Sequence, residues 1–134
     1  MKSNKAKVLQ TIGGMSMLQR VLQTTASLHS KSTVVLGHDK EGVLKHLQNI
    51  AGDISTVIQT HQLGTADAVK SAMPHTSKDE TVLVLYGDVP LVSENSLREL
   101  IKKAEGGFSI LTTSLDNPFG YGLSLIHISE PTRP

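Results

Sequence analysis

Residues 82–90, Val-Leu-Val-Leu-Tyr-Gly-Asp-Val-Pro, constrain the fold of this chain more than any other segment. The run from 82 to 86 is apolar without polar alternation, which is typical of a buried parallel strand covered by helices on both faces. Gly87 and Asp88 follow where that strand ends, and open α/β sheets bind their ligands at this end of their strands. The alternative is that Gly87-Asp88 is only a turn into the next helix. Asp88 is therefore a candidate functional residue.

Composition excludes several classes of protein. The 134 residues include 13 Lys and Arg and 12 Asp and Glu, a net charge of +1, and no basic stripe with interleaved aromatic residues indicates a nucleic-acid surface. The absence of cysteine excludes disulfides and thiolate metal sites and fits a reducing cytosol. No apolar segment approaches the roughly 18 residues that span a bilayer. We therefore expect a cytoplasmic protein that binds neither nucleic acid nor membrane.

Strand-like and helical segments alternate along the chain. Apolar periodicity, β-branched runs and capping residues predict strands at 32–36, 54–58, 81–86 and 108–114, and helices at 16–28, at 65–73, around 43–50 and after the N-cap Ser93. Strands that alternate with helices predict an α/β fold with a mostly parallel sheet and helices on both faces.

Both ends depart from this pattern. A doubly wound domain normally opens with an apolar strand and a glycine-rich turn, whereas this chain opens with Met-Lys-Ser-Asn-Lys, so we expect the first strand and that loop to be missing. Residues 123–134 look like the translation of one reading frame of a common sequencing adapter, and the alternative is a native strand followed by a Pro-rich tail. We expect residues 1–122 to be a partial domain and deletion of residues 123–134 to have little effect.

Two further places hold candidate binding residues. Gln59, Gly64 and Thr65 lie between a predicted strand and a predicted helix, where a glycine frees backbone amides and a helix N-terminus favours polar or anionic atoms. An ordinary helix start is the alternative. Lys7 is either a compact cation that meets a phosphate group or simply an exposed lysine. The six histidines lack the i, i+4 spacing of a helical zinc pair.

Several segments together resemble one family. They are Lys-Ala-Lys-Val-Leu at 5–9, Gln59 with Gln-Leu-Gly-Thr-Ala at 62–66, Leu-Tyr-Gly-Asp-Val-Pro-Leu at 85–91, and Leu-Asp-Asn-Pro-Phe-Gly-Tyr-Gly at 115–122. In this order they resemble the uridylyltransferase domain of the bacterial bifunctional N-acetylglucosamine-1-phosphate uridylyltransferases and glucosamine-1-phosphate acetyltransferases. The resemblance implies a Rossmann-like nucleotidyltransferase that uses Mg²⁺ to form UDP-N-acetylglucosamine and pyrophosphate from UTP and N-acetylglucosamine 1-phosphate.

The resemblance also implies a role for individual residues. Lys7 contacts phosphate, Gln59, Gly64 and Thr65 read the uracil ring, Tyr86, Gly87 and Asp88 line the nucleotide sugar, Asp88 holds Mg²⁺, and Gly122 touches the amino sugar. Met1 matches the end of the family's Gly-Thr-Arg-Met loop, and Ala6 stands where the family usually has proline. A single aspartate suits Mg²⁺, which prefers one or two carboxylates completed by substrate oxygens and water.

The family's remaining parts are not found in this sequence. They are the glycine-rich loop, the later half of the transferase domain, and the C-terminal left-handed β-helix, which carries acetyl transfer and through which the parent is expected to form a homotrimer. We therefore expect the chain to be inactive by itself. Two alternatives stay open, namely another sugar-phosphate nucleotidyltransferase of the same fold and a non-catalytic α/β signalling module.

Overall fold

The computed structural model describes residues 6–37, 39–61, 63–114 and 116. Its helices are α1 Met17–Ala26, α2 Lys40–Leu47, α3 Thr65–Ala72 and α4 Glu94–Lys103, and its strands are β1 Thr11–Ile12, β2 Met15–Ser16, β3 Ser32–Leu36 and β4 Ile54–Ile58. Short 3-10 turns occupy Lys7–Leu9 and Met73–His75. Among these residues, no helix combines the length and apolarity needed to cross a membrane. Gly122 and the predicted adapter segment lie outside the described residues.

Strands β3 and β4 form a parallel pair, in register from Ser32 beside Ile54 to Leu36 beside Ile58. Helix α2 connects them, so the three elements form the strand, helix, strand unit on which α/β folds are built. Both strands have the predicted bounds, and the predicted fold class is confirmed. The parallel register places the carboxyl ends of both strands at one edge of the sheet.

Helix α1 begins at a buried polar residue. Ser16 is 2% exposed, and its Oγ accepts a hydrogen bond from the Gln19 backbone N–H at 3.1 Å, which makes it the N-cap of the helix. The same Oγ lies 2.7 Å from Nε2 of His46 on α2, so the cap also joins the two helices. A serine cap of this kind typically contributes about 1 kcal/mol.

The core is aliphatic and lies between α1, α2 and β3. Its buried cluster consists of Leu9, Leu18, Leu22, Leu36, Val43 and Leu47. Helix α4 begins after the predicted N-cap Ser93, whose Oγ accepts from the Ser96 backbone N–H at 3.2 Å. Its Leu97 is 1% exposed and lines a narrow crevice with Val21 of α1 and Leu85. Helix α4 therefore packs against the segment that precedes Asp88.

Two predicted strands are wrong. In the part of the chain that the structure describes, residues 81–86 and 108–114 pair with no other strand. Val82 and Val84 are 45% and 54% exposed, and Phe108 is 82% exposed. An apolar run indicates a segment suited to burial, but a parallel strand also requires a neighbouring strand for its ladder of hydrogen bonds. Instead, the side chains of residues 83 and 85 are partly buried, and those of residues 82, 84 and 86 on the opposite face of the segment are exposed.

Candidate functional site

Lys7 and Asp88 form an ion pair although they lie 81 positions apart in the sequence. The Lys7 Nζ donates to Oδ2 of Asp88 at 2.8 Å, and the two side chains are 71% and 33% exposed. Lys7 opens the 3-10 turn, and Asp88 follows the apolar run. The structure therefore joins two of the predicted site residues in an accessible, oppositely charged pair.

A close backbone approach at Gly87 permits this contact. A Cβ at Gly87 would lie 3.2 Å from Cγ1 of Val8 and 3.6 Å from Cδ1 of Leu18. Any side chain would thus press on Val8 of the 3-10 turn, which is β-branched and has little freedom to give way, while its contact with Leu18 of α1 would be an ordinary van der Waals distance. The role that the structure gives Gly87 is to let its segment pack beside the turn that carries Lys7.

Asp39 attaches that turn to the edge of the sheet. The Ala6 backbone N–H donates to Oδ2 of Asp39 at 3.0 Å, and Asp39 comes shortly after the end of β3. A proline at position 6 could adopt the observed φ of −51° but has no N–H to donate. Asp39 itself has a left-handed φ of +54°, a conformation that aspartate tolerates better than most residues. Sequence reasoning missed this contact, which joins segments distant in the chain.

Gln59 lies at the same edge of the sheet. Its backbone N–H donates to the Leu36 carbonyl at 2.9 Å and extends the β3–β4 ladder by one bond. Its side-chain Nε2 donates to Oδ2 of Asp67 at 2.7 Å and to the Gly64 carbonyl at 3.3 Å. Asp67 was not predicted, although a carboxylate three residues after a helix N-cap is a known helix-start signal. Gln59 therefore closes the loop that leads into α3.

The other predicted residues have separate positions. Gly64 is the N-cap of α3 with a φ of +105°, which favours glycine, and Thr65 is the first, exposed residue of the helix. Tyr86 is 55% exposed. Within the described residues, no hydrogen bond joins Gln59 or its partners Gly64 and Asp67 to the Lys7–Asp88 pair. Gly122 lies outside them.

Asp88 shifts the protonation of Lys7. The hydrogen bond to Asp88, and then the carboxylate's charge, raise the pKa of Lys7 above its ordinary value. Because the raised pKa belongs to the folded state, the pair's contribution to stability is complete at neutral pH and is lost as the pH rises through that pKa.

A side-chain titration tests this shift. In NMR spectra of labelled protein, Asp88→Asn should lower the pKa of Lys7 toward its ordinary value, because both causes of the shift are weakened together. Glu80→Gln is a suitable control, since Oε2 of Glu80 accepts from the Ser77 backbone N–H instead. An unchanged Lys7 titration in Asp88→Asn would mean that the pair is absent in solution.

The carboxylate of Asp88 carries oxygen atoms of the kind that hard cations bind. In the described residues, no group of three or more His, Asp or Glu side chains is arranged to hold a metal ion. A cation at Asp88 would therefore take at most two such ligands from the described residues and would need water or substrate oxygens to complete its shell. Mg²⁺ prefers such sites, whereas structural zinc sites need four protein ligands.

The chain also has known relatives. A family model described as the MobA-like NTP transferase domain matches residues 1–129. The chain belongs to this family. Membership of the MobA-like NTP transferase family confirms the predicted nucleotidyltransferase resemblance and favours it over a signalling module.

Three curated relatives of the chain are each named "Bifunctional protein GlmU". The protein of Ruthia magnifica subsp. Calyptogena magnifica is 43% identical over 123 residues, which cover 91% of this chain and 27% of the relative. The proteins of Chromobacterium violaceum and Neisseria meningitidis serogroup B are 45% and 44% identical over the same length and share of this chain, which covers 27% and 26% of them. The chain thus spans about a quarter of the length of these relatives.

Proposed function

We propose that this chain is part of a uridylyltransferase that forms UDP-N-acetylglucosamine and pyrophosphate from UTP and N-acetylglucosamine 1-phosphate. The observation that carries the proposal is the ion pair of Lys7 and Asp88, 2.8 Å long, in a member of the MobA-like NTP transferase family. The motifs that contain both residues support the uridylyltransferase assignment, as does the similarity to proteins named "Bifunctional protein GlmU".

The proposed reaction sets an electrostatic problem that these two residues suit. A sugar phosphate and a nucleoside triphosphate are both anions and repel each other. Negative charge also builds on the phosphoryl oxygens as the two substrates react. The Lys7 side chain is 71% exposed, so a phosphate oxygen can reach its ammonium group. Mg²⁺ held by Asp88 would supply further neutralisation of the phosphate oxygens.

The ion pair also makes the site responsive to its substrate. Without nucleotide, Lys7 and Asp88 neutralise each other. An incoming triphosphate competes with Asp88 for the Lys7 ammonium, and Oδ2 of Asp88, released from that contact, becomes a ligand for a cation. Binding of the anion and binding of the cation should therefore assist one another.

The loop between β4 and α3 suits a uracil ring. Uracil presents one N–H donor between two carbonyl acceptors. Gln59 contributes an amide, and the first turn of α3, from Thr65, contributes backbone N–H groups that have no partner within the helix. An enzyme specific for another base would need different donors and acceptors around the ring.

Nucleotide binding by the 134-residue chain tests the proposal. In saturation-transfer NMR with Mg²⁺, we expect transfer to UTP at least several times stronger than transfer to ATP. We expect binding without turnover, because the chain spans about a quarter of the length of its relatives. Pyrophosphate release with both substrates should therefore equal a protein-free control. Equal transfer to the two nucleotides, or none to UTP, would contradict the uridine assignment.

A further inference from the structure

We propose that Asp67 is a positioning residue that holds the Gln59 amide in one orientation and thereby sets the preference for uracil over cytosine. The inference rests on the proposed function, since it concerns the same base-binding loop. It starts from the hydrogen bond of 2.7 Å between Nε2 of Gln59 and Oδ2 of Asp67, which is partly buried.

The partners of Gln59 permit only one orientation of its amide. Both contacting atoms, Oδ2 of Asp67 at 2.7 Å and the Gly64 carbonyl at 3.3 Å, are oxygens that accept hydrogen bonds. The amide nitrogen must therefore face them, because the reversed amide would bring its own oxygen against a carboxylate. The carboxylate makes the stronger contact, since hydrogen bonds to charged groups are roughly twice as strong as neutral ones.

This orientation determines what the side chain offers to a ligand. Both amide hydrogens are directed to protein acceptors, so the group left for a base is Oε1, which can only accept. Uracil carries an N–H at N3 and satisfies such an acceptor, whereas N3 of cytosine is itself an acceptor. An amide released from Asp67 can turn over and present its NH₂ group to cytosine. Asp67 thus restricts the Gln59 side chain, which could otherwise donate to a base or accept from it, to accepting a hydrogen bond.

Asp67 also has a simpler role that must be separated from this one. It lies in the first turn of α3, where a negative charge stabilises the helix dipole. Asparagine at this position removes the charge and places an NH₂ group beside its oxygen, so it can pair with the Gln59 amide in either orientation. Because UTP and CTP carry the same triphosphate charge, a charge effect of Asp67 changes both affinities alike, whereas loss of the fixed orientation changes their ratio.

The experiment measures affinities of the full 134-residue chain for UTP and for CTP, both with Mg²⁺. We expect the wild-type chain to prefer UTP, and we expect Asp67→Ala to lower the ratio of the two affinities by about tenfold, the order of one exchanged hydrogen bond. Asp67→Asn, whose amide can pair with either orientation of the Gln59 amide, should lower the ratio as well. Lys70→Ala, on the exposed side of α3, is the matched control and should keep the wild-type ratio.

Several results would overturn the inference. They are an unchanged ratio in Asp67→Ala, or an equal loss in Lys70→Ala. If Asp67→Ala fails to fold, hydrogen exchange of the Gln59 side-chain amide in the wild-type chain decides instead. Protected hydrogens support the fixed orientation, and free exchange overturns it. Failure of the wild-type chain to bind UTP would contradict the proposed function, which the exchange measurement does not depend on.

Discussion

Asp88→Asn should lower magnesium-dependent turnover about a hundredfold in a full-length protein that carries this domain, equal to roughly 3 kcal/mol of transition-state stabilisation. Asparagine keeps the size of the side chain but removes the anionic oxygen that would hold the cation. The fold should survive, because the Lys7–Asp88 pair is exposed and such pairs contribute little to stability. Steady-state kinetics across a magnesium titration, beside a thermal melt, gives both quantities.

The exposed Asp79 supplies the matched control for this prediction. Asp79→Asn removes the same charge and should leave the rate and the melting temperature nearly unchanged. If Asp88→Asn shows wild-type rates at low magnesium, Asp88 only completes a turn and the assignment of the cation to it is wrong.

Leu97→Ala should lower the free energy of unfolding by about 2–5 kcal/mol, which is a large part of the stability of a small domain. Leu97 is 1% exposed and lines the crevice between α1 and residues 85–92, so its truncation leaves a cavity that its neighbours cannot close fully. The same truncation should loosen the segment that carries Gly87 and Asp88. Urea denaturation followed by circular dichroism measures the change.

The chemically identical substitution Leu91→Ala provides the comparison. Leu91 is 78% exposed, so its truncation should change the free energy of unfolding by no more than about 0.5 kcal/mol. Equal effects of the two substitutions would show that α4 does not pack in solution as the structure describes.

Local patterns in the sequence predicted the elements whose stability is largely local. Strands β3 and β4 have the predicted bounds because β-branched runs with clear turn signals specify them, and Ser93 caps α4 as predicted. The predicted helices differ from α1 and α3 by one or two residues at their ends. The predicted strands at 81–86 and 108–114 were wrong, since strand pairing depends on partners that a local pattern does not contain.

The sequence likewise predicted some residues of the candidate site and missed others. The candidates Lys7, Gln59 and Asp88 came from motifs, and the structure adds the direct contact of Lys7 with Asp88. The roles of Asp39 and Asp67 were missed. Asp39 meets a residue 33 positions away, and the hydrogen bond of Asp67 depends on how the loop before α3 closes, so neither contact follows from residue spacing alone.

An NMR titration of the isotopically labelled 134-residue chain with UTP, with and without Mg²⁺, tests most directly whether Lys7, Gln59 and Asp88 form one nucleotide site. We expect the Lys7 side chain, the Gln59 side-chain amide and the Asp88 backbone amide to shift together with a single dissociation constant. Mg²⁺ should lower that constant in the wild-type chain and leave it unchanged in Asp88→Asn. A shared site would be contradicted if the signals of these three residues do not shift while UTP binds elsewhere. It would also be contradicted if they shift with different dissociation constants.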